Sequence, residues 1–402
     1  MRLLHIAALF LVIHPGILSA GEPTARWYKG NLHTHSLWSD GDEFPEMIAS
    51  WYRDQGYHFL ALSDHNVLSE GVRWMSKKAI VKRSDDGIVD RYIDRFGSAW
   101  VEQRSNPRSG DPEVRLKPLD EFRSQVESAG EFIMIPGEEI SDRAEGKPVH
   151  INATNLAELI EPARGETVRQ AIANNLRIIL QHEKDHGREV LPHLNHPNFG
   201  YAVTAEDLAA VTDERFFEVY NGHPGVNHLG DKDRPGVEAI WDQVNTIRLQ
   251  AGVPALFGIG TDDSHEYHGV KGSHPGRGWV MVKSLYLSPE HLIRAMKRGD
   301  FYASSGVELE SITFDSRTRE LSVRVAPREG VAFRTEYIAS TSREVGIVVA
   351  TSFELSSRYE MKPGELYVRA RITSEQSHPD PSFENQKQQA WTQPVGWQLS
   401  DR

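Results

Sequence analysis

The chain has 402 residues, with 45 Lys and Arg against 57 Asp and Glu, 18 His and no Cys. At about 100–200 residues per domain this suggests two or three domains and a full core. The apolar share of 39% excludes a disordered chain, a collagen-like repeat and a polytopic membrane protein. A formal charge of −12 argues against bulk electrostatic binding of nucleic acid. Without Cys there is no disulfide, thiolate metal site, thiol nucleophile or lipoprotein anchor, so any metal must be held by His, Asp and Glu.

In chain order, residues 1–20 read as an export signal. Met1-Arg2 supplies one positive charge, Leu3 to Ile13 is mostly apolar, and small residues follow around Ser19-Ala20-Gly21. Cleavage there would leave no membrane anchor, and the expected location is periplasmic or secreted. From Trp27 to about residue 305, strand-like runs alternate with helix-like ones. The expected strands are Gly30–His35, Phe59–Ser63, Phe132–Ile140, Val149–Asn155, Val190–His196, Phe216–Asn221, Ala255–Thr261 and Trp279–Val282. Between many of them lie amphipathic helices, one starting near Pro45, others marked by Phe122 and Val126 or by Ile240, Val244 and Ile247. This repetition predicts an α/β unit, as a closed barrel or an open doubly wound sheet.

Two regions break the rhythm. Residues 66–118 form a long, charge-rich connection carrying Trp74, Tyr92, Phe96 and Trp100, which reads as a lid, a binding loop or a small subdomain. Residues 306–374 have the texture of a small β-sandwich-like module. Residues 375–402 read as a polar tail pinned back by Trp391, Pro394 and Trp397.

His, Asp and Glu recur where these strands end. His33 and His35, one residue apart, share a strand face, so both imidazoles can reach one metal. Asp64-His65 ends the second strand, Glu139 lies near the end of the third, His150 opens the next, and His196 closes the one after. Asp263 and His265 repeat the one-residue spacing after Gly258-Ile259-Gly260, and Asp40 sits in the loop after His35. Strand C-termini are where parallel α/β folds place their active sites.

The runs Gly30-Asn31-Leu32-His33-Thr34-His35-Ser36, Ser39-Asp40-Gly41 and Leu62-Ser63-Asp64-His65-Asn66 resemble the PHP (polymerase and histidinol phosphatase) superfamily. So do Ile135-Pro136-Gly137-Glu138-Glu139-Ile140-Ser141, Asn195-His196-Pro197 and Gly260-Thr261-Asp262-Asp263-Ser264-His265, in that order. The resemblance covers residues 27–305 and implies a distorted (β/α)7 barrel, here followed by the β-rich C-terminal module. Export, the insertion and that module look most like the carbaryl-hydrolase (CehA/McbA-like) branch.

The resemblance also implies a site for up to three divalent ions, commonly zinc, manganese or iron. His33, His35, Glu139 and Asp263 would hold the first. Glu139 would bridge to a second, held with His150 and His196. Asp40, His65 and His265 would hold the third. Glu138 and Asp262 adjoin two of these ligands, and the motifs alone leave each choice open. Three such ions would outweigh Asp40, Glu139 and Asp263 by three positive charges, which favours an anionic substrate or a developing oxyanion. Metal coordination lowers the pKa of water from about 15.7 to about 7. The expected mechanism is attack by a metal-bridging hydroxide on phosphorus or on a carbonyl carbon.

Asp64, Glu139 and His265 are the candidate catalytic residues; Asp64 would orient a ligand, relay a proton or simply cap a loop. Asn221, Arg143 and Arg277 are the candidate substrate-binding residues, the arginines as phosphate forks or as plain surface charges. His182-Glu183-Lys184-Asp185-His186 matches the His-Glu-x-x-His pattern of zinc peptidases but lacks a clear third ligand. The favoured reading is an exported phosphoesterase acting on a small-molecule ester. The alternatives are a carbamate or carboxylic ester hydrolase, and a non-catalytic binding module stabilised by metal. Oligomeric state is not legible.

Overall fold

Side-chain alternation and one close approach set the first pairing. In β1 (Arg26–Asn31) Tyr28 and Gly30 point inward, and a Cβ at Gly30 would lie 2.2 Å from the Phe59 ring, so only glycine lets β1 sit beside its neighbour. The chain continues through α1 (Pro45–Asp54), opened by a proline in its first turn, into the fully buried β2 (Phe59–Leu62). The computed structural model describes residues 24–269 and 272–399. The expected export signal, residues 1–20, lies outside them.

The insertion is a small folded unit. It contains β3 (Arg73–Ser76), α2 (Lys77–Arg83), α3 (Ile88–Phe96), β4 (Gln103–Ser105) and β5 (Pro112–Leu116), with its sheet ordered β3-β5-β4. Leu37, Phe44, Ile80, Tyr92, Val114 and Leu116 share one buried cluster, so the insertion packs on the loop that follows β1.

The main body then runs through α4 (Leu119–Val126), β6 (Ile133–Ala144), β7 (Lys147–Thr154), α5 (Val168–His186), β8 (Leu191–Leu194), α6 (Ala205–Ala210), β9 (Phe216–Asn221), α7 (Val237–Gln250) and β10 (Phe257–Thr261). After β10 come β11 (Trp279–Ser284), α8 (Pro289–Arg298) and β12 (Phe301–Ser304). The C-terminal part is β13 (Leu309–Asp315), β14 (Glu320–Val325), β15 (Phe333–Ser340), β16 (Ile347–Ser352), β17 (Ser356–Glu360), β18 (Tyr367–Ser377) and β19 (Lys387–Thr392).

A 13-stranded sheet ordered β10-β9-β8-β7-β6-β2-β1-β11-β12-β19-β18-β15-β16 organises this mixed α/β chain. β1, β2 and β6 are mutually parallel, as are β8, β9 and β10, but β7 is antiparallel to both β6 and β8. The strand-helix alternation is interrupted here: a hairpin, not a helix, joins β6 to β7. Beyond the ladders, Asp263 N–H donates to His33 O (3.0 Å) and His35 N–H to Ser264 O (2.9 Å), which ties the chain after β10 to the chain after β1.

The C-terminal strands do not stand apart. β19 lies between β12 and β18, so a segment expected to be a polar tail is an inner strand of the large sheet. β13, β14 and β17 form a separate three-stranded sheet over a core that includes Tyr302, Leu321, Val323, Tyr337, Val368 and Ile372.

Candidate metal centre

Glu139 lies at the middle of a cluster that contains all nine expected ligands. His33 and His35 direct Nε2 at Asp263 Oδ1, at 3.1 and 3.2 Å, and each lies 3.5 Å from a Glu139 oxygen. Glu139 is also 2.7 Å from His65 Nδ1, 2.8 Å from His150 Nδ1 and 3.4 Å from His196 Nε2. Asp40 faces His65, His265 and His35 Nδ1 at 3.4, 3.5 and 3.6 Å. The His35 ring thus separates two groups of oxygens, one at each nitrogen.

The backbone explains the convergence. His150 opens a strand rather than ending one, yet β7 runs antiparallel to β6, so its start lies at the same end of the sheet as the end of β6; His150 pairs with Ser141. Asp263 (φ 50°) and His196 (φ 20°) adopt positive φ, a conformation costly to non-glycine residues and common at functional sites. Bonds from Asp263 N–H to His33 O and from His196 N–H to Glu218 Oε2 (2.7 Å) hold them there.

Strand alternation in β6 separates Glu138 from Glu139, and the turn after β10 separates Asp262 from Asp263. Glu138 turns away from the cluster and accepts the Ile160 N–H at 2.7 Å. Asp262 also turns away: it accepts N–H groups of Gly276, Arg277 and Gly278, the Asn31 amide and the Tyr52 hydroxyl. Burial pushes the carboxyl of Glu138 up to about 8 and that of Asp262 up to about 6, as expected for groups outside a cationic cluster.

Three residues not assigned from the sequence support the site. Glu218 accepts His33 Nδ1–H (2.7 Å), the Thr261 hydroxyl (2.7 Å), His196 N–H and the Asn221 amide (2.8 Å), so it fixes which nitrogen of His33 faces the cluster. Asn195 donates to Glu139 Oε1 at 2.8 Å. His193 is fully buried beside Glu218. The available signal for Glu218 was a lone carboxylate inside the apolar run Phe216–Asn221, next to a candidate pocket residue.

The donor set fits divalent cations. His33 Nε2 and His35 Nε2 are buried without a hydrogen-bond partner. Their contacts with carboxylate oxygens, 3.1–3.5 Å, are longer than the roughly 2.7–2.9 Å of charge-assisted hydrogen bonds. Burial, reinforced by His265, lowers His35 to about 3, which leaves a neutral imidazole with a free lone pair. Burial opposes ionisation of Glu139 and Asp263, but the surrounding imidazoles outweigh it and hold both well below the carboxylate range. Several His/Asp/Glu groups here could bind ions: His35, Asp40, His65 and His265; His33, His35 and Asp263; His65, Glu139 and His150; and His33, His193 and Glu218.

Of the four other expected site residues, Asp64, Asn221 and Arg277 have partners within the fold. Asp64 accepts two bonds from Ser36 (2.8 Å each) and two from Ser39 (3.0 and 2.6 Å), which anchors the loop bearing Asp40. Asn221 braces Glu218 and Asp263 instead of facing a substrate. The Arg277 guanidinium is consumed by Asp380 and by the carbonyls of Gly222 and Gly272, so it is no free phosphate fork. Arg143 is exposed, with one nitrogen on Gly146 O, on the same face of β6 as Glu139 and Ser141. Of the loop histidines, His223 reaches the rim, its ring 5.7 Å from that of His265.

No family model matches the chain, and no curated protein matches it. Among solved structures it is similar to a two-domain protein from Bacteroides vulgatus ATCC 8482 containing a predicted PHP-like metal-dependent phosphoesterase. That similarity has 16% identity and a TM-score of 0.41, over 92% of this chain and 96% of the other.

Proposed function

We propose that the chain is an exported, metal-dependent phosphoesterase on a distorted PHP-type barrel. His33, His35, Asp40, His65, Glu139, His150, His196, Asp263 and His265 would hold up to three divalent ions. The observation that carries this reading is the convergence of these nine side chains about Glu139, with two buried imidazole nitrogens, His33 Nε2 and His35 Nε2, that make no hydrogen bond. Divalent ions there would acidify water and polarise the oxygens of an ester.

The protein's own groups do the positioning. Glu218 presents His33 in one tautomer, Asp64 fixes the Asp40 loop, and Asn221 and Asn195 hold Asp263 and Glu139 in place. His65 Nδ1 also meets Ser141 Oγ at 2.5 Å. Arg143, on the Glu139 face of β6, is the cation we assign to the substrate phosphate. An apolar wall for an aromatic carbamate has less support, because Tyr92, Phe96 and Trp100 are engaged in the insertion's own core and Trp74 lies under the Arg104 guanidinium.

Assay of the metal-loaded protein on p-nitrophenyl phosphate, bis-p-nitrophenyl phosphate, naphthyl acetate and a naphthyl carbamate tests the proposal. Turnover of a phosphate ester is expected. Turnover of the carbon esters alone replaces the phosphoesterase reading with the carbaryl-hydrolase-like one. Export is tested by the N-terminal residue of periplasmic protein, expected near position 21.

A further inference from the structure

The His-Glu-x-x-His run lies outside the Glu139 cluster, at the C-terminal end of α5. His182 and His186 are four residues apart and so share one helix face, with ring centroids 4.3 Å apart. Glu158, from the loop after β7, brings Oε1 to 3.3 Å from His186 Nε2. One donor atom of each of the three side chains lies within 4.8 Å of the others. Ligand atoms around a tetrahedral ion with bonds of about 2.1 Å sit about 3.4 Å apart, so the Glu158–His186 spacing already matches one edge of such a site.

We propose that Glu158, His182 and His186 form a second divalent-cation site, independent of the Glu139 cluster and structural in role. Its imidazole and carboxylate donors suit zinc. It also sits on the last turn of α5, where the helix dipole favours positive charge. Glu183, which would be the general base of a peptidase, has its Oε2 held by Val190 N–H (2.8 Å) and Lys297 Nζ (2.7 Å). His182 Nε2 accepts the Ala157 N–H at 3.0 Å, and a bound ion displaces that one bond. In exchange it clamps the loop to α5. Leu156 and Ala157 of that loop line a cavity of about 620 Å³, so the clamp fixes one of its walls.

Zinc stoichiometry measured by calorimetric titration and elemental analysis tests the site in wild type, His186→Ala and Glu158→Gln. Both variants should bind one equivalent less than wild type, lose the matching part of the zinc-dependent rise in Tm, and keep wild-type turnover. Unchanged stoichiometry in both variants overturns the proposal. Loss of ester turnover in either folded variant also overturns it, because the ion would then not be independent of the Glu139 cluster.

Discussion

Glu139 touches more of the cluster than any other side chain described, and Glu138 cannot replace it because it faces the opposite way. Glu139→Gln should therefore lower kcat and metal content together, by more than the roughly 10–100-fold typical of residues that only orient a ligand. Glu218→Gln should fall within that 10–100-fold range in metal affinity, read by titration against a chelator, because it perturbs the His33 tautomer without removing a donor. Arg143→Ala should raise KM for a phosphate monoester about tenfold, the worth of one charge-assisted hydrogen bond. It should leave metal content unchanged. A larger fall in kcat than in kcat/KM would show that Arg143 does not bind the substrate ground state.

At the scale of elements, the insertion braces a loop of the candidate site. Arg73 donates to Trp38 O at 2.5 Å, Arg83 donates to Ser39 O, and Trp38 Nε1 donates to Lys117 O, so the insertion grips the loop that bears Asp40. Glu46 of α1 ties the two together through Tyr92 and Trp100. Burial raises the Glu46 carboxyl to about 7. The unfolded chain releases that proton near pH 4.5 and the folded chain only near pH 7, so stability falls as pH rises between the two. Glu46→Gln removes this loss. The variant should gain on wild type by up to about 3 kcal/mol between pH 4.5 and 8 in urea unfolding, with no such gain below pH 4.5. A pH-independent difference would refute the buried, protonated Glu46.

Across the whole molecule, the C-terminal strands are locked to the α/β body by buried charge. Arg369 pairs with Asp242 at 2.7 and 2.8 Å, Tyr367 donates to the same carboxylate at 2.6 Å, and Arg369 lies over the Trp241 ring. Asp242→Ala leaves the buried Arg369 cation with Glu238, at 3.3 Å, as its remaining acidic partner among the described residues. It should cost about 3–5 kcal/mol in denaturant unfolding, as breaking one partner of a buried pair does. At the rim, Asp380 binds Arg277, whose backbone N–H bonds Asp262 next to Asp263, so the C-terminal segment reaches the edge of the Glu139 cluster. Chelation of bound ions should lower Tm, because ions that bind only the folded state stabilise it by mass action.

The amino-acid order was enough to mark which side chains would gather, that they are imidazoles and carboxylates, and that they lie near strand ends. This was legible because a one-residue spacing on an extended chain, as in His33 and His35, fixes a shared face whatever the rest of the fold does. Tertiary structure alone decided what had several local solutions. Glu138 or Glu139, and Asp262 or Asp263, differ only in which way the backbone turns, and Gly276–Gly278 and Ile160 settled that. Asp64 and Arg277 looked like chemical groups because charge in a loop carries no local sign of its partners; Ser36, Ser39 and Asp380 supplied them from elsewhere. The strand β19 was hidden in a polar tail for the same reason, since its pairing with β12 and β18 joins segments too distant for any local pattern to record.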